Sequence, residues 1–137
     1  MAIWIPMAHR LNDGIEVTVA ISAATPHHIA MTPEQFVDCC AKERAYLLSC
    51  YLSSNSGSQV AADIASLRLS AEQVSMMRRI LSGVLTDSFY TILLGLDGAA
   101  SIGGRQEMYD LRAEDGTPLT GDGKLESLAY ARFQESA

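Results

Sequence analysis

Near the start of the chain, apolar and polar residues alternate with a period of two. Ile15, Val17 and Val19 alternate with polar or small residues, which is the pattern of a half-buried β-strand. A run of residues that tolerate positive φ, 12–14, lies just before it and suits a tight turn. The pattern predicts a β-hairpin over residues 3–21.

From residue 32 the apolar spacing becomes helical. Thr32 is a good N-cap, Pro33 fits the first helical position, and Gln35 completes a capping box, so a helix is expected to begin here. It is expected to end in the polar run 53–58, which is followed by a short helix over about residues 58–67. Ser70 and Gln73 repeat the capping-box signal and predict a further helix start.

The segment from residue 71 to Asp97 has an apolar stripe that Gly83 and Thr86 interrupt. Two interpretations remain open, one long helix or two helices with a break at Thr86. From Val84 onward apolar residues lie nearly all round the helix, so this part is expected to be the central and most buried element.

The last forty or so residues predict a glycine-rich turn at 98–104, a strand at Gln106–Ala113 and a turn at 114–116. Asp122 is expected to cap a last helix whose apolar face contains Leu125 and Phe133. The predicted fold is a single α+β domain spanning residues 1–137. It is predominantly helical, with three to four helices packed around the central apolar helix and a small antiparallel sheet that includes the N-terminal hairpin.

Charge narrows the classes of partner. The chain has sixteen acidic and ten basic residues and a formal net charge of −6. Binding to nucleic acid or to an anionic membrane surface depends on an excess of Lys and Arg, so we expect neither. A protein partner is expected to be basic, although the same charge also serves solubility.

Compartment and chemistry follow from the cysteines, the N-terminus and the motifs. Three cysteines fall in one predicted helix, and the N-terminus lacks the features of a signal peptide, so we expect reduced thiols and a cytoplasmic location. No recognisable spacing for a metal or a cofactor is present, and we expect neither. The Gly98–Gly104 turn follows a helix instead of opening one, which is the wrong order for a phosphate loop. The chain is therefore expected not to be an enzyme.

The stretch from Phe89 to Gly104, then Gln106, Tyr109 and a short C-terminal helix, resembles a segment of small bacterial proteins. Several of these act as immunity partners of antibacterial toxins. The resemblance covers residues 89–135 and implies no catalytic residues.

These observations lead to a main hypothesis, an immunity protein or similar stoichiometric inhibitor of a toxin or enzyme. Two alternatives remain open: a homo-oligomeric accessory protein, possible as a homodimer, and a small-ligand binder or enzyme that uses the Gly98–Gly104 turn. The candidate partner-binding residues are two aromatic anchors and four acids expected on loops: Trp4, Tyr109, Asp13, Glu114, Asp115 and Asp122.

Overall fold

The structure is a computed structural model that describes residues 30–135. The described part contains four helices: α1 (Pro33–Tyr51), α2 (Gln59–Ser66), α3 (Ala71–Leu96) and α4 (Lys124–Phe133). Trp4, Asp13 and the predicted N-terminal hairpin lie outside the described residues. A connection of residues 97–123, which we call the α3–α4 connection, contains neither helix nor strand.

Both predicted capping boxes are confirmed. The Thr32 hydroxyl accepts a hydrogen bond from the Gln35 amide at 3.2 Å, and the Gln35 side chain accepts one from the Thr32 amide at 3.0 Å. Ser70 and Gln73 form the same reciprocal pair at the start of α3. Such a cap satisfies two backbone donors that a helix end otherwise leaves without partners, so these starts are set by local sequence.

The core forms where α1 and α4 pack against the C-terminal half of α3. Val37 of α1 and Leu93 of α3 are almost fully buried there. They meet a face of α4 made of Leu125, Ala129 and Phe133, which recur every four residues as a helix face requires. The Phe133 ring stacks on Phe89 with 6.3 Å between centroids. Burying a side chain such as Leu93 stabilises the fold by about 1.5–3 kcal/mol.

A polar contact adds to the packing of α1 on α3. The Arg44 guanidinium donates to the Thr86 hydroxyl at 2.7 Å and to the Ser82 hydroxyl at 2.6 Å. Thr86 therefore serves as an acceptor inside a continuous helix, and α3 runs unbroken for 26 residues. The interpretation with two helices is wrong.

The part of α3 from Val84 onward is the more buried part of the helix, as expected, but it is not buried on all sides. Leu85 and Leu93 are buried, but Val84 and Ile92 are about half exposed. Of residues 71–80, only Met77 is even partly covered. By length and composition alone α3 is apolar enough to cross a membrane. Of the 18-residue stretch that meets this criterion, 11% is buried. Core helices of soluble proteins also meet it.

The predicted α+β class is wrong for the described residues. Helices account for 59% of them, and residues 30–135 form no strand, sheet or hairpin. Gln106–Ala113 alternates like a strand, but one isolated bridge, Arg112 with Pro118, is all the pairing that it makes. Other backbone groups of this segment are satisfied by a side chain, as described below, so no ladder develops.

Candidate functional site

The α3–α4 connection concentrates the negative charge of the protein. Its 27 residues include six acids and two arginines, so this fifth of the chain supplies four of the six net negative charges. Two exposed ion pairs lie within it, Arg105 with Glu107 at 2.9 Å and Arg112 with Asp110 at 3.0 Å. Exposed pairs of this kind contribute little to stability, but they leave the net charge of the segment unchanged.

Asp97 attaches the end of the connection to the end of α3. Its side chain is buried, and its two carboxylate oxygens accept hydrogen bonds from the amides of Gly121 and Glu126, each at 3.2 Å. Glu126 lies in the first turn of α4, where amides have no partner within the helix. Because the Gly123 N-cap has no side chain, Asp97 supplies the cap and places a negative charge at the positive end of the helix dipole.

Thr120 fixes the middle of the connection. Its buried hydroxyl accepts a hydrogen bond from the Leu111 amide at 2.9 Å and donates one to the carbonyl of Tyr109. The Leu119 amide donates to the Leu111 carbonyl at 2.8 Å. One threonine thus holds the backbone around Tyr109 and Leu111 without a neighbouring strand.

This support presents Met108 and Tyr109 outward. Met108 is 68% exposed and Tyr109 is 38% exposed. The Tyr109 amide donates to the Leu96 carbonyl at 3.4 Å, and a Cβ at Gly98 would lie 2.8 Å from Cγ of Met108. Gly98, which has φ +77°, therefore allows the Met108 segment to cross close to the end of α3.

A shallow cavity of about 300 Å³ lies beside these two side chains. Its lining combines apolar and charged groups: Met108, Tyr109, Asp110, Arg112, Pro118, Thr120 and Gly121. We call Met108, Tyr109 and this cavity the Met108–Tyr109 platform. It suits contact with a protruding side chain better than enclosure of a small molecule.

The acids that the sequence analysis proposed for partner binding in the α3–α4 connection interact with neighbouring groups of the chain. Asp122 accepts a hydrogen bond from the Lys124 amide and pairs with the Lys124 ammonium at 2.9 Å. This side-chain contact lowers the pKa of Asp122 and raises the pKa of Lys124. Asp115 accepts from the Thr117 amide at 3.0 Å, and it is exposed together with Glu114. Tyr109 alone of the predicted residues in the described part lines the cavity.

Amides of the Gly98–Gly104 turn already donate hydrogen bonds to carbonyls of the chain itself. The amides of Ala99 and Ala100 both donate to the Leu94 carbonyl, and the Ile102 amide donates to the Arg105 carbonyl. A Cβ on Gly95 would overlap the Ile102 side chain, so the turn packs tightly on α3. The Ala99 and Ala100 amides cap the C-terminus of α3, and the Ile102 amide closes the turn, so these three amides already have partners within the chain.

Reactive side chains in the described residues do not converge. Within residues 30–135, no three His, Cys, Asp or Glu side chains lie together in a way that would hold a metal ion. The three cysteines are free; Cys39 is exposed, while Cys40 is half buried and burial raises the pKa of its thiol.

Two parts of this picture were not predicted from the sequence. The sequence pattern places Met108 in a strand and Asp97 at the end of a helix. Asp122 was predicted to cap α4, but the N-cap is Gly123, and Asp122 accepts from the Lys124 amide. The one sequence signal for Asp97 is an acid directly before a glycine turn. Only a folded chain shows that the two helix ends meet.

Comparison of the chain with protein-family models, with curated proteins and with solved structures finds no match. The function therefore has to be argued from the geometry of the described residues.

Proposed function

We propose that this chain is a cytoplasmic protein-binding domain, most concretely an immunity protein or similar stoichiometric inhibitor, and that the Met108–Tyr109 platform contacts its partner. The observation that carries the proposal is the position of these two exposed side chains. They lie on a backbone that buried Thr120 and the Leu96 carbonyl hold at Tyr109, within the segment that supplies most of the net charge. In this proposal the chain has no catalytic activity.

The composition of the platform supports protein recognition. Tyrosine and methionine are both enriched at protein interfaces. Tyrosine buries a large area for two rotatable bonds, and flexible methionine adapts to the shape of the partner. Hydrogen bonds from Thr120 already hold the backbone at Tyr109 and Leu111, so binding costs less conformational entropy than ordering a flexible loop would.

Charge supports a basic partner. The acidic α3–α4 connection would attract a positively charged surface over several ångströms and raise the association rate. Because most of its acids are exposed, this contribution is screened by salt. The resemblance expected from the sequence of residues 89–135 is to immunity-type proteins, and that stretch contains the whole platform.

The test is site-specific photo-crosslinking in the native host. A photoreactive residue at position 108 is expected to capture one basic protein in a 1:1 complex, and the same residue at exposed Lys42 of α1 is the matched control. The purified partner should bind the wild-type chain and lose its activity, and Tyr109→Ala should weaken binding about 10- to 100-fold, as expected for an interface anchor.

Two results would overturn the proposal. One is equal capture from positions 108 and 42. The other is a partner whose affinity is the same for the wild type and for Tyr109→Ala combined with Met108→Ala, provided that circular dichroism shows the double variant to be folded.

A further inference from the structure

The outer side of α3 carries an apolar ridge that no described residue covers. Met76, Ile80 and Val84 follow one another at four-residue spacing and are 48%, 52% and 57% exposed. Side chains at this spacing form the ridges with which helices most often pack against one another. The ridge lies on the side of α3 opposite Leu85 and Leu93, which face the core.

The first half of α3 also lacks support within the described fold. Nine of residues 71–80 are exposed, and α2 packs on α1 without contacting α3. Helical segments shorter than about 12–15 residues are marginal in water when nothing packs against them. A helical arm of this length, with an apolar ridge, is the kind of surface that a second helix stabilises.

Gly83 lies in the middle of the exposed region, next to the ridge. A Cβ there would meet nothing within 4 Å, so the described fold gives no packing reason for a glycine inside the helix. A glycine at such a position lets the backbone of another helix approach closely, at a cost to the intrinsic stability of its own helix.

Two charges flank Gly83 at equal distances along the chain. Arg79 lies four residues before it and Asp87 four residues after it, so all three fall on one neighbouring ridge. Both side chains belong to exposed residues, and neither forms an ion pair within residues 30–135. The arrangement is self-complementary: when a second α3 crosses in the antiparallel direction at Gly83, Arg79 of each copy faces Asp87 of the other.

We propose that two copies of this chain form a homodimer through α3, with the two-fold axis near Gly83. The ridge of each copy, Met76, Ile80 and Val84, packs into the groove beside Gly83 of the other copy, and two reciprocal Arg79–Asp87 pairs set the direction. A second copy fits better than an unrelated partner because one surface supplies both charges in two-fold order, as an isologous interface requires. This dimer surface is separate from the Met108–Tyr109 platform.

The test is sedimentation equilibrium of the full chain at concentrations from about 1 μM to about 1 mM, the range that covers weak to moderate affinities. We expect a reversible monomer–dimer equilibrium. Val84→Asp places a charge in the apolar ridge and should weaken the dimer by more than about 100-fold. Arg79→Asp, which changes two pairs per dimer, should weaken it by about 10-fold or more.

Exchanging the charges at positions 79 and 87 distinguishes this dimer geometry from nonspecific hydrophobic association. Arg79→Asp combined with Asp87→Arg should restore the dimer, because the two pairs re-form with reversed sign. Arg78→Asp is the matched control: it makes the same change one residue away, about 100° round the helix, and should leave the affinity within about 3-fold of the wild type.

Several outcomes would overturn the proposal. They are a monomer at every concentration, a double exchange that fails to restore association, and an Arg78→Asp effect as large as that of Arg79→Asp. Flotation of the chain with phosphatidylcholine vesicles in place of dimerisation would assign the ridge to a membrane. Loss of stability in Val84→Asp that does not depend on concentration would show that one chain covers the ridge by itself. Failure here leaves the crosslinking result at position 108 unaffected, so the two proposals are tested separately.

Discussion

Replacing Asp97 by alanine removes the acceptor of two backbone hydrogen bonds, one from Gly121 and one from Glu126 at the start of α4. A hydrogen bond to a charged acceptor contributes about 1.5–3 kcal/mol. Because Gly121 and Glu126 belong to exposed residues, water can replace part of each bond in the variant. We therefore expect Asp97→Ala to lower the free energy of unfolding by about 2–4 kcal/mol, near the lower end of the about 3–6 kcal/mol that two such bonds would contribute.

Asp97→Asn separates the two bonds. An asparagine keeps one oxygen acceptor and converts the other into an NH₂ group, so one of the two amides loses its partner. The expected loss is about half that of alanine, or about 1–2 kcal/mol. Glu43→Gln, which makes the same charge change at an exposed position of α1, is the matched control and should stay within about 0.5 kcal/mol of the wild type.

The assay is thermal and urea unfolding followed by far-ultraviolet circular dichroism, with amide exchange measured by NMR. In a domain of this size 1 kcal/mol corresponds to about 3 °C in Tm, so Asp97→Ala should lower Tm by about 6–12 °C. Exchange of the Glu126 amide should accelerate in both Asp97 variants and not in the control. An Asp97→Ala loss below about 0.5 kcal/mol, or an unchanged Glu126 exchange rate, would refute the view that Asp97 caps α4.

Two further predictions concern the helices. Gly95→Ala should destabilise the fold by about 1–3 kcal/mol, because the new methyl group overlaps Ile102. Gly83→Ala should instead stabilise the monomer by about 0.5–1 kcal/mol, because nothing lies near the added Cβ. Urea unfolding at low protein concentration measures both effects, and equal effects at the two positions would contradict this account. At pH 8 iodoacetamide should modify exposed Cys39 faster than Cys40, whose thiol is half buried with a raised pKa. Peptide mass spectrometry gives both rates in one sample. Faster labelling of Cys40 would show that α1 opens there.

Local signals predicted the helix starts and failed where distant parts of the chain decide the structure. Thr32 with Gln35 and Ser70 with Gln73 each complete a cap within three residues, so the sequence alone was sufficient. The segment Gln106–Ala113 has the alternation of a strand, but Thr120 satisfies two of its backbone groups, and a side chain nine residues away leaves no trace in the periodicity.

For the candidate binding surfaces, too, residue type could be predicted from the sequence, whereas exposure depends on distant parts of the chain. The apolar content of α3 was evident, yet its pattern does not tell which side a neighbouring helix covers, so Val84 was expected to be buried and is exposed. Tyr109 was predicted as an anchor from residue type and loop position and does line the cavity. Met108 was missed because its exposure depends on the crossing over Gly98, which only the folded backbone reveals.

The cap that Asp97 provides has a consequence for how this protein can be dissected. Since the carboxylate of Asp97, directly after α3, accepts from both Gly121 and the first turn of α4, the α3–α4 connection and the C-terminal helix are expected to unfold together. A synthetic peptide covering residues 97–123 would keep Asp97 and Gly121 but lack Glu126 and the rest of α4, and it should not reproduce the shape of the connection. Under the proposed function, substitutions in α4, far from Tyr109, should therefore weaken partner binding without contacting the partner.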